Sequence, residues 1–179
     1  MGVNEAALIR LWQEKRGDVE PEDLSGNLVV QLGKATEQLN REWFEAATGQ
    51  LVTDVQKHIR HPGLHWMGAT LDGRVEASGA VFESKFMLSW SFSEEAAVQK
   101  YAAQLQHNMF VIAARTAVLS IITGGGRWVE IKTPADPLYQ HLVVTADANS
   151  GAALKLASAQ PYLARIRRSR ASKPYALSI

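Results

Sequence analysis

Two carboxylates and an amine near the middle of the chain have the types and the spacing of a hydrolytic site. Asp72 stands in a turn after an apolar run, and Glu83 and Lys85 lie in a later strand-like stretch. Because side chains alternate along a strand, Glu83 and Lys85 point to one face, roughly 7 Å apart. If the turn at 78–79 folds the chain back, the Asp72 carboxylate meets that of Glu83 on a neighbouring strand.

Such a pair of carboxylates favours a hard cation. Two carboxylates held close repel each other unless a cation lies between them. The chain has no Cys, and oxygen ligands select Mg²⁺ or Mn²⁺. Mg²⁺ commonly takes one or two protein carboxylates together with phosphate oxygens, so the implied substrate is a phosphodiester. Lys85 would orient or deprotonate the attacking water and offset negative charge in the transition state. The same residue pattern is also typical of an ordinary turn and of an exposed charge pair on a strand, neither of which has a catalytic role.

Hydrophobic periodicity places these residues on a sheet between helices. Apolar residues recur every three or four positions in stretches that predict helices at 4–16, 27–48, 93–115 and 149–168. Alternation and β-branched runs predict strands at 51–59, 65–71, 74–77, 80–86, 116–123, 128–132 and 139–145. Helices and strands come in groups rather than alternating one by one. This order favours an α/β (α+β) fold with a central mixed sheet over a doubly wound parallel sheet.

Length and composition predict one cytoplasmic domain over residues 1–179. The chain is 46% hydrophobic, which is enough to bury a core, and its lack of Cys excludes disulfide scaffolds, thiolate metal sites and cysteine nucleophiles. No apolar run approaches the ~18 residues of a membrane span, and the start does not resemble a signal peptide. We therefore expect no membrane association.

The charge is unevenly distributed although it nearly cancels. The net charge is +1, but residues 126–179 contain eight basic and three acidic side chains. The basic helix and tail at about 149–179 could contact a polyanion or end as a solvated helix. The candidate DNA-binding side chains are Arg165, Arg167, Arg168 and Arg170.

Three histidines also invite a metal site. His58, His61 and His65 are closely spaced, but Pro62 and Gly63 interrupt any helix that would align them. We expect a solvated loop rather than zinc ligands.

The central residues resemble a known family. Asp72, Glu83 and Lys85 are similar to the D…ExK core of the PD-(D/E)XK nuclease superfamily, and most similar to its lambda-exonuclease and YqaJ-like viral recombinase branch. The segment 33–49 resembles the first conserved helix of this branch, and its conserved glutamate aligns with Glu37. The segment 68–73 is similar to the metal-binding turn, and 101–109 is similar to the helix whose active-site glutamine falls on Gln104. The resemblance extends from about residue 11 to residue 144.

This resemblance implies a restriction-endonuclease-like core and a role for each matching residue. Asp72, Glu83 and the backbone carbonyl of Ser84 would bind the metal, and Lys85 would act on the nucleophilic water. Glu37 would support a second metal through water. Gln104 would position the water, Lys85 or the scissile phosphate.

The implied function is a Mg²⁺-dependent DNA nuclease, with Mn²⁺ able to substitute. The branch suggests a phage-type 5′–3′ exonuclease that acts on linear duplex DNA in recombination, in a bacterial or phage-infected cell. It also suggests a ring trimer and a single-strand annealing protein as partner. The residues before Leu11 do not match the Gly/Ser-rich segment that holds a 5′ phosphate in this branch. An endonuclease or nickase on the same core, and a catalytically silent DNA-binding module, therefore stay as alternatives.

Overall fold

A five-stranded mixed sheet forms the centre of the computed structural model, which describes residues 19–148. Residues Glu22–Val143 form one compact unit. The elements below belong to this unit, apart from the last helix, which extends beyond it. The helices expected at 4–16 and 149–168 lie outside the described residues, and the single domain over 1–179 stays a prediction.

In the described part of the chain, seven strands form two sheets. In the larger sheet the order is β1-β4-β5-β6-β7, and β2 and β3 form a separate antiparallel pair. Strands β5 and β6 run parallel, whereas the β1–β4, β4–β5 and β6–β7 pairs are antiparallel. The mixed sheet expected from the sequence is confirmed. The strands are β1 (Val52–Thr53), β2 (His58–Arg60), β3 (Gly68–Thr70), β4 (Gly73–Val75), β5 (Val81–Met87), β6 (Thr116–Thr123) and β7 (Trp128–Pro134).

Helix α1 (Leu28–Thr48) begins and ends at the signals that its sequence contains. The Asn27 side chain accepts hydrogen bonds from the backbone N–H groups of Val29 and Val30. Gly49 follows the last turn with a φ of 69°, a left-handed conformation that favours glycine. The predicted helix at 27–48 is therefore confirmed to within one residue.

Asn40 and Phe44 attach α1 to the sheet. The Asn40 amide is buried and donates to the carbonyl of Ser120 at 2.9 Å and to the carbonyl of Lys85 at 3.3 Å. The Phe44 ring lies 5.1 Å from the Phe82 ring, inside a core cluster that includes Val118. These contacts hold α1 across β5 and β6.

Helix α2 (Glu94–Val111) covers part of the same sheet. The Ser93 side chain caps its first turn by accepting from the N–H of Ala96. Leu105 and Met109 are fully buried, and the helix packs against β3, β5, β6 and β7. The helix predicted at 93–115 is confirmed but ends at Val111.

The sequence-based expectation is wrong at two places. The sequence pattern predicts a strand at 139–145, but this segment belongs to helix α3 (Pro137–Ala148). The Asp136 carboxylate accepts from the N–H groups of Leu138 and Tyr139, and Pro137 suits the first turn of a helix. The strand expected at 51–59 is divided into β1 and β2, because Asp54 and Gln56 adopt a φ of 53° that interrupts an extended chain.

Within residues 19–148, no helix combines the length and the apolarity that crossing a bilayer requires.

Candidate active site

Asp72 lies at the edge of β5, as the turn predicts. It follows β3 and precedes β4, which pairs with β5 at Gly73–Phe82 and Arg74–Val81. Beyond Phe82, the Asp72 side chain replaces β4 as the hydrogen-bond partner of β5. Its Oδ2 accepts from the backbone N–H of Ser84 at 2.9 Å and from the Ser84 hydroxyl at 3.3 Å. These hydrogen bonds therefore join the turn at Asp72 to β5 next to Glu83, as the sequence predicts.

Glu83 is the most enclosed member of the site. It lies in the middle of β5 with 1% of its surface exposed. Its Oε1 accepts from the Lys85 ammonium and from the Gln104 amide, the latter at 2.6 Å. Its Oε2 accepts from the Asn108 amide at 3.2 Å. Three donors from one strand and one helix therefore converge on a single carboxylate.

Burial dominates the electrostatics of Glu83. Loss of solvent raises its pKa to about 7, with a further upward contribution from the Asp72 carboxylate and an opposing one from Lys85. For Lys85, burial alone would lower the pKa, but Glu83 and Asp72 outweigh it and raise the pKa above its ordinary value. Lys85 is therefore an ammonium at neutral pH, and its Nζ lies 5.3 Å from the centre of the Tyr101 ring.

The oxygen ligands available at this site suit a small hard dication. Asp72 and Glu83 offer carboxylate oxygens, and the N–H and C=O of a strand residue point to the same edge. The Ser84 carbonyl therefore faces the edge on which its N–H binds Asp72. Within residues 19–148, His, Asp and Glu do not gather in any group of three or more that could hold a metal. Two carboxylates and a carbonyl are a sparse set, which suits Mg²⁺ because it retains waters and takes phosphate oxygens.

Gln104 reaches the site as the family resemblance implies, whereas Glu37 does not join this network. Gln104 lies on α2, is exposed itself and donates to Glu83. Glu37 lies on α1, one turn before Asn40, and its carboxylate accepts from the Gln56 amide. A role for Glu37 stays a prediction.

The sequence reasoning missed Asn108 as a partner of Glu83. Asn108 follows Gln104 by four residues, so both side chains lie on one face of α2. Tyr101, three residues before Gln104, lies beside Lys85 on the same side. The spacing of these polar residues was a signal that could have identified Asn108.

The histidines do not form a metal site. His61 Nδ1 accepts from the N–H groups of Gly63 and Leu64, and its ring stacks on Phe110 at 4.9 Å. His58 pairs instead with the Thr70 hydroxyl. The expected solvated loop is therefore only partly correct: His58 is the first residue of β2, His61 lies outside the strands but is half-buried, and His65 is exposed outside the strands. The basic candidates, Arg165, Arg167, Arg168 and Arg170, lie outside the described residues.

Comparisons with known proteins agree with this fold. The family model of the YqaJ-like viral recombinase domain matches residues 3–152. An alkaline exonuclease from Laribacter hongkongensis has 17% sequence identity and a TM-score of 0.63, covering 93% of this chain and 84% of its own. Its complex with dAMP aligns with 18% identity and a TM-score of 0.61, covering 93% of this chain and 85% of its own.

A phage-related exonuclease from Haemophilus somnus has 12% identity and a TM-score of 0.59, with 92% of this chain and 82% of its own covered. No curated protein matches. At these identities the solved structures show a shared fold.

Proposed function

Because the chain belongs to the family of YqaJ-like viral recombinase domains, we propose that it is a Mg²⁺-dependent nuclease that hydrolyses phosphodiester bonds of DNA. The observation that carries this proposal is the grouping of side chains around the buried carboxylate of Glu83. Lys85 and Gln104 donate hydrogen bonds to this carboxylate, and Asp72 accepts from the N–H of the next residue, Ser84. Exonucleases with the same fold support the proposal, and one of them forms a complex with dAMP, a deoxynucleotide.

The residues of the site divide the work of hydrolysis among them. Asp72, Glu83 and the Ser84 carbonyl would hold Mg²⁺, which, when bound, lowers the pKa of water and offsets phosphate charge. The Lys85 ammonium is a hydrogen-bond donor that can orient the attacking water and offset charge that develops on the phosphate. The exposed Gln104 amide lies where it can contact water or the phosphate while it donates to Glu83. Glu37 would support a second metal through water.

The finer part of the proposal follows the lambda-exonuclease branch. We expect 5′–3′ degradation of linear duplex DNA in phage-type recombination, by a homo-oligomer that takes the form of a ring trimer. A single-strand annealing protein would receive the product. The support for these expectations is the resemblance in segments 33–49, 68–73 and 101–109.

Two substitutions test the assignment of the site. Asp72→Ala removes a metal ligand, and Lys85→Ala removes the cation next to the reacting phosphate. Each should lower the rate of Mg²⁺-dependent degradation of linear duplex DNA by about 100-fold or more. The matched control is Lys132→Ala, which removes a lysine that is 65% exposed and paired with Glu130 on β7. It should keep wild-type activity.

Folding of the variants can be checked by their thermal unfolding. Near wild-type activity in either folded variant, Asp72→Ala or Lys85→Ala, would contradict the assignment.

A further inference from the structure

The two oxygens of the Glu83 carboxylate have different partners. Oε1 accepts from both Lys85 and Gln104, whereas Oε2 accepts from Asn108 at 3.2 Å. A carboxylate has about four acceptor positions, two on each oxygen. Both positions of Oε1 are therefore used, and Oε2 retains one. If Glu83 binds a cation, the geometry leaves Oε2 for that contact.

Asn108 differs from Gln104 in its access to solvent. Asn108 is 4% exposed, whereas Gln104, one turn earlier on α2, is exposed. A substrate or a water can therefore reach Gln104 but does not reach Asn108, which can act only through the groups that it contacts. Its amide donates to the single oxygen that stays available for a cation.

We propose that Asn108 is a positioning residue that fixes the plane of the Glu83 carboxylate, so that Oε2 is presented to the divalent cation. This inference rests on the proposed function. The terminal torsion of a glutamate is broad, so donors on Oε1 alone leave the carboxylate free to rotate. A donor on the opposite oxygen restricts this rotation. Partners that orient metal ligands commonly affect metal affinity by 10- to 100-fold.

The test is Asn108→Leu, which keeps nearly the same size and removes the donor. Titration calorimetry measures Mn²⁺ binding to the full chain without DNA. We expect the Kd for Mn²⁺ to rise by about 10- to 100-fold. In the nuclease assay the Mg²⁺ activation curve should shift by a similar factor, with kcat recovered at saturating Mg²⁺ and KM for DNA unchanged.

Gln106→Leu is the matched control. Gln106 is a fully buried amide on the same helix, but it binds the backbone at Pro134 and Asp136. This variant should lower the Tm and leave the Mn²⁺ affinity within twofold of wild type. A general loosening of α2 would change Mn²⁺ binding in both variants, and this result would overturn the proposal.

Asn108→Ala is the second variant, for use if Asn108→Leu does not fold. Wild-type Mn²⁺ affinity in a folded Leu or Ala variant would overturn this inference alone. Absence of Mn²⁺ binding by the wild type would overturn the proposed function and this inference together.

Discussion

Burial of the Glu83 carboxylate in β5 lowers the stability of the folded protein. Its carboxylate is almost fully enclosed, and burial raises its pKa to about 7. Lys85, Gln104 and Asn108 direct hydrogen bonds at it, but they do not cancel the loss of solvent. A carboxylate retained under these conditions fits a residue whose charge is used when a cation binds.

The raised pKa predicts how stability depends on pH without divalent metal. Glu83 ordinarily titrates at 4.5, and in the folded protein at about 7. The folded state therefore holds the proton more tightly, so its stabilising contribution is complete below pH 4.5 and is lost as the pH rises through 7. The difference between these pKa values corresponds to about 3 kcal/mol in the free energy of unfolding.

The substitution Glu83→Gln replaces the carboxyl group with an amide that does not titrate, so it removes this dependence of stability on pH. In urea unfolding with EDTA, the variant should gain stability relative to wild type between pH 4.5 and pH 8, by up to about 3 kcal/mol. Glu42→Gln at an exposed position of α1 controls for loss of a negative charge. A constant difference between wild type and Glu83→Gln over this range would contradict the assigned environment of Glu83.

Helices and strands could be predicted from the sequence where local signals determine them. Helices α1 and α2 have periodic apolar residues and capping side chains, so both could be located, whereas the β-branched run at 143–145 suggested a strand within α3. Asp72, Glu83 and Lys85 could be grouped because a turn and strand alternation fix their relative positions. The contact between Asn108 and Glu83 depends on how α2 lies on the sheet, which local sequence does not determine.

The attachment of α1 to the sheet can be tested by substituting Asn40. Asn40 donates to the carbonyls of Lys85 and Ser120 and accepts from the Ser120 hydroxyl. Asn40→Leu keeps the size but removes these three hydrogen bonds to buried groups, so it should lower the free energy of unfolding by about 2–4 kcal/mol. Urea unfolding measures the loss.

Gln38→Ala, at an exposed position of the same helix, is the control and should change stability by less than about 0.5 kcal/mol. Equal stability of Asn40→Leu and Gln38→Ala would show that the buried network does not hold α1.

At the scale of the whole molecule, the near-zero net charge agrees with a nuclease that has acidic residues at its centre. Asp72 and Glu83 offset basic residues in the total of +1, while the excess of basic residues falls in 126–179. The arginines from Arg165 to Arg170 remain predicted sites of DNA contact. Their contribution would be salt-dependent and independent of sequence.

Closed circular DNA distinguishes an exonuclease from an endonuclease. An exonuclease needs a free end, so the protein with Mg²⁺ should degrade linear duplex DNA and leave covalently closed circular DNA intact. Gel electrophoresis of both substrates over one time course measures the difference. Nicking or linearisation of the circle at a similar rate would support the endonuclease alternative.

The position of a bound metal tests the assignment of Asp72, Glu83 and Ser84 most directly. Crystals of the wild-type protein soaked with Mn²⁺ can be measured for the anomalous scattering of manganese. We expect manganese in direct contact with the carboxylates of Asp72 and Glu83 and with the Ser84 carbonyl. Manganese bound only elsewhere, or none at these residues in protein that degrades DNA with Mn²⁺, would contradict this assignment.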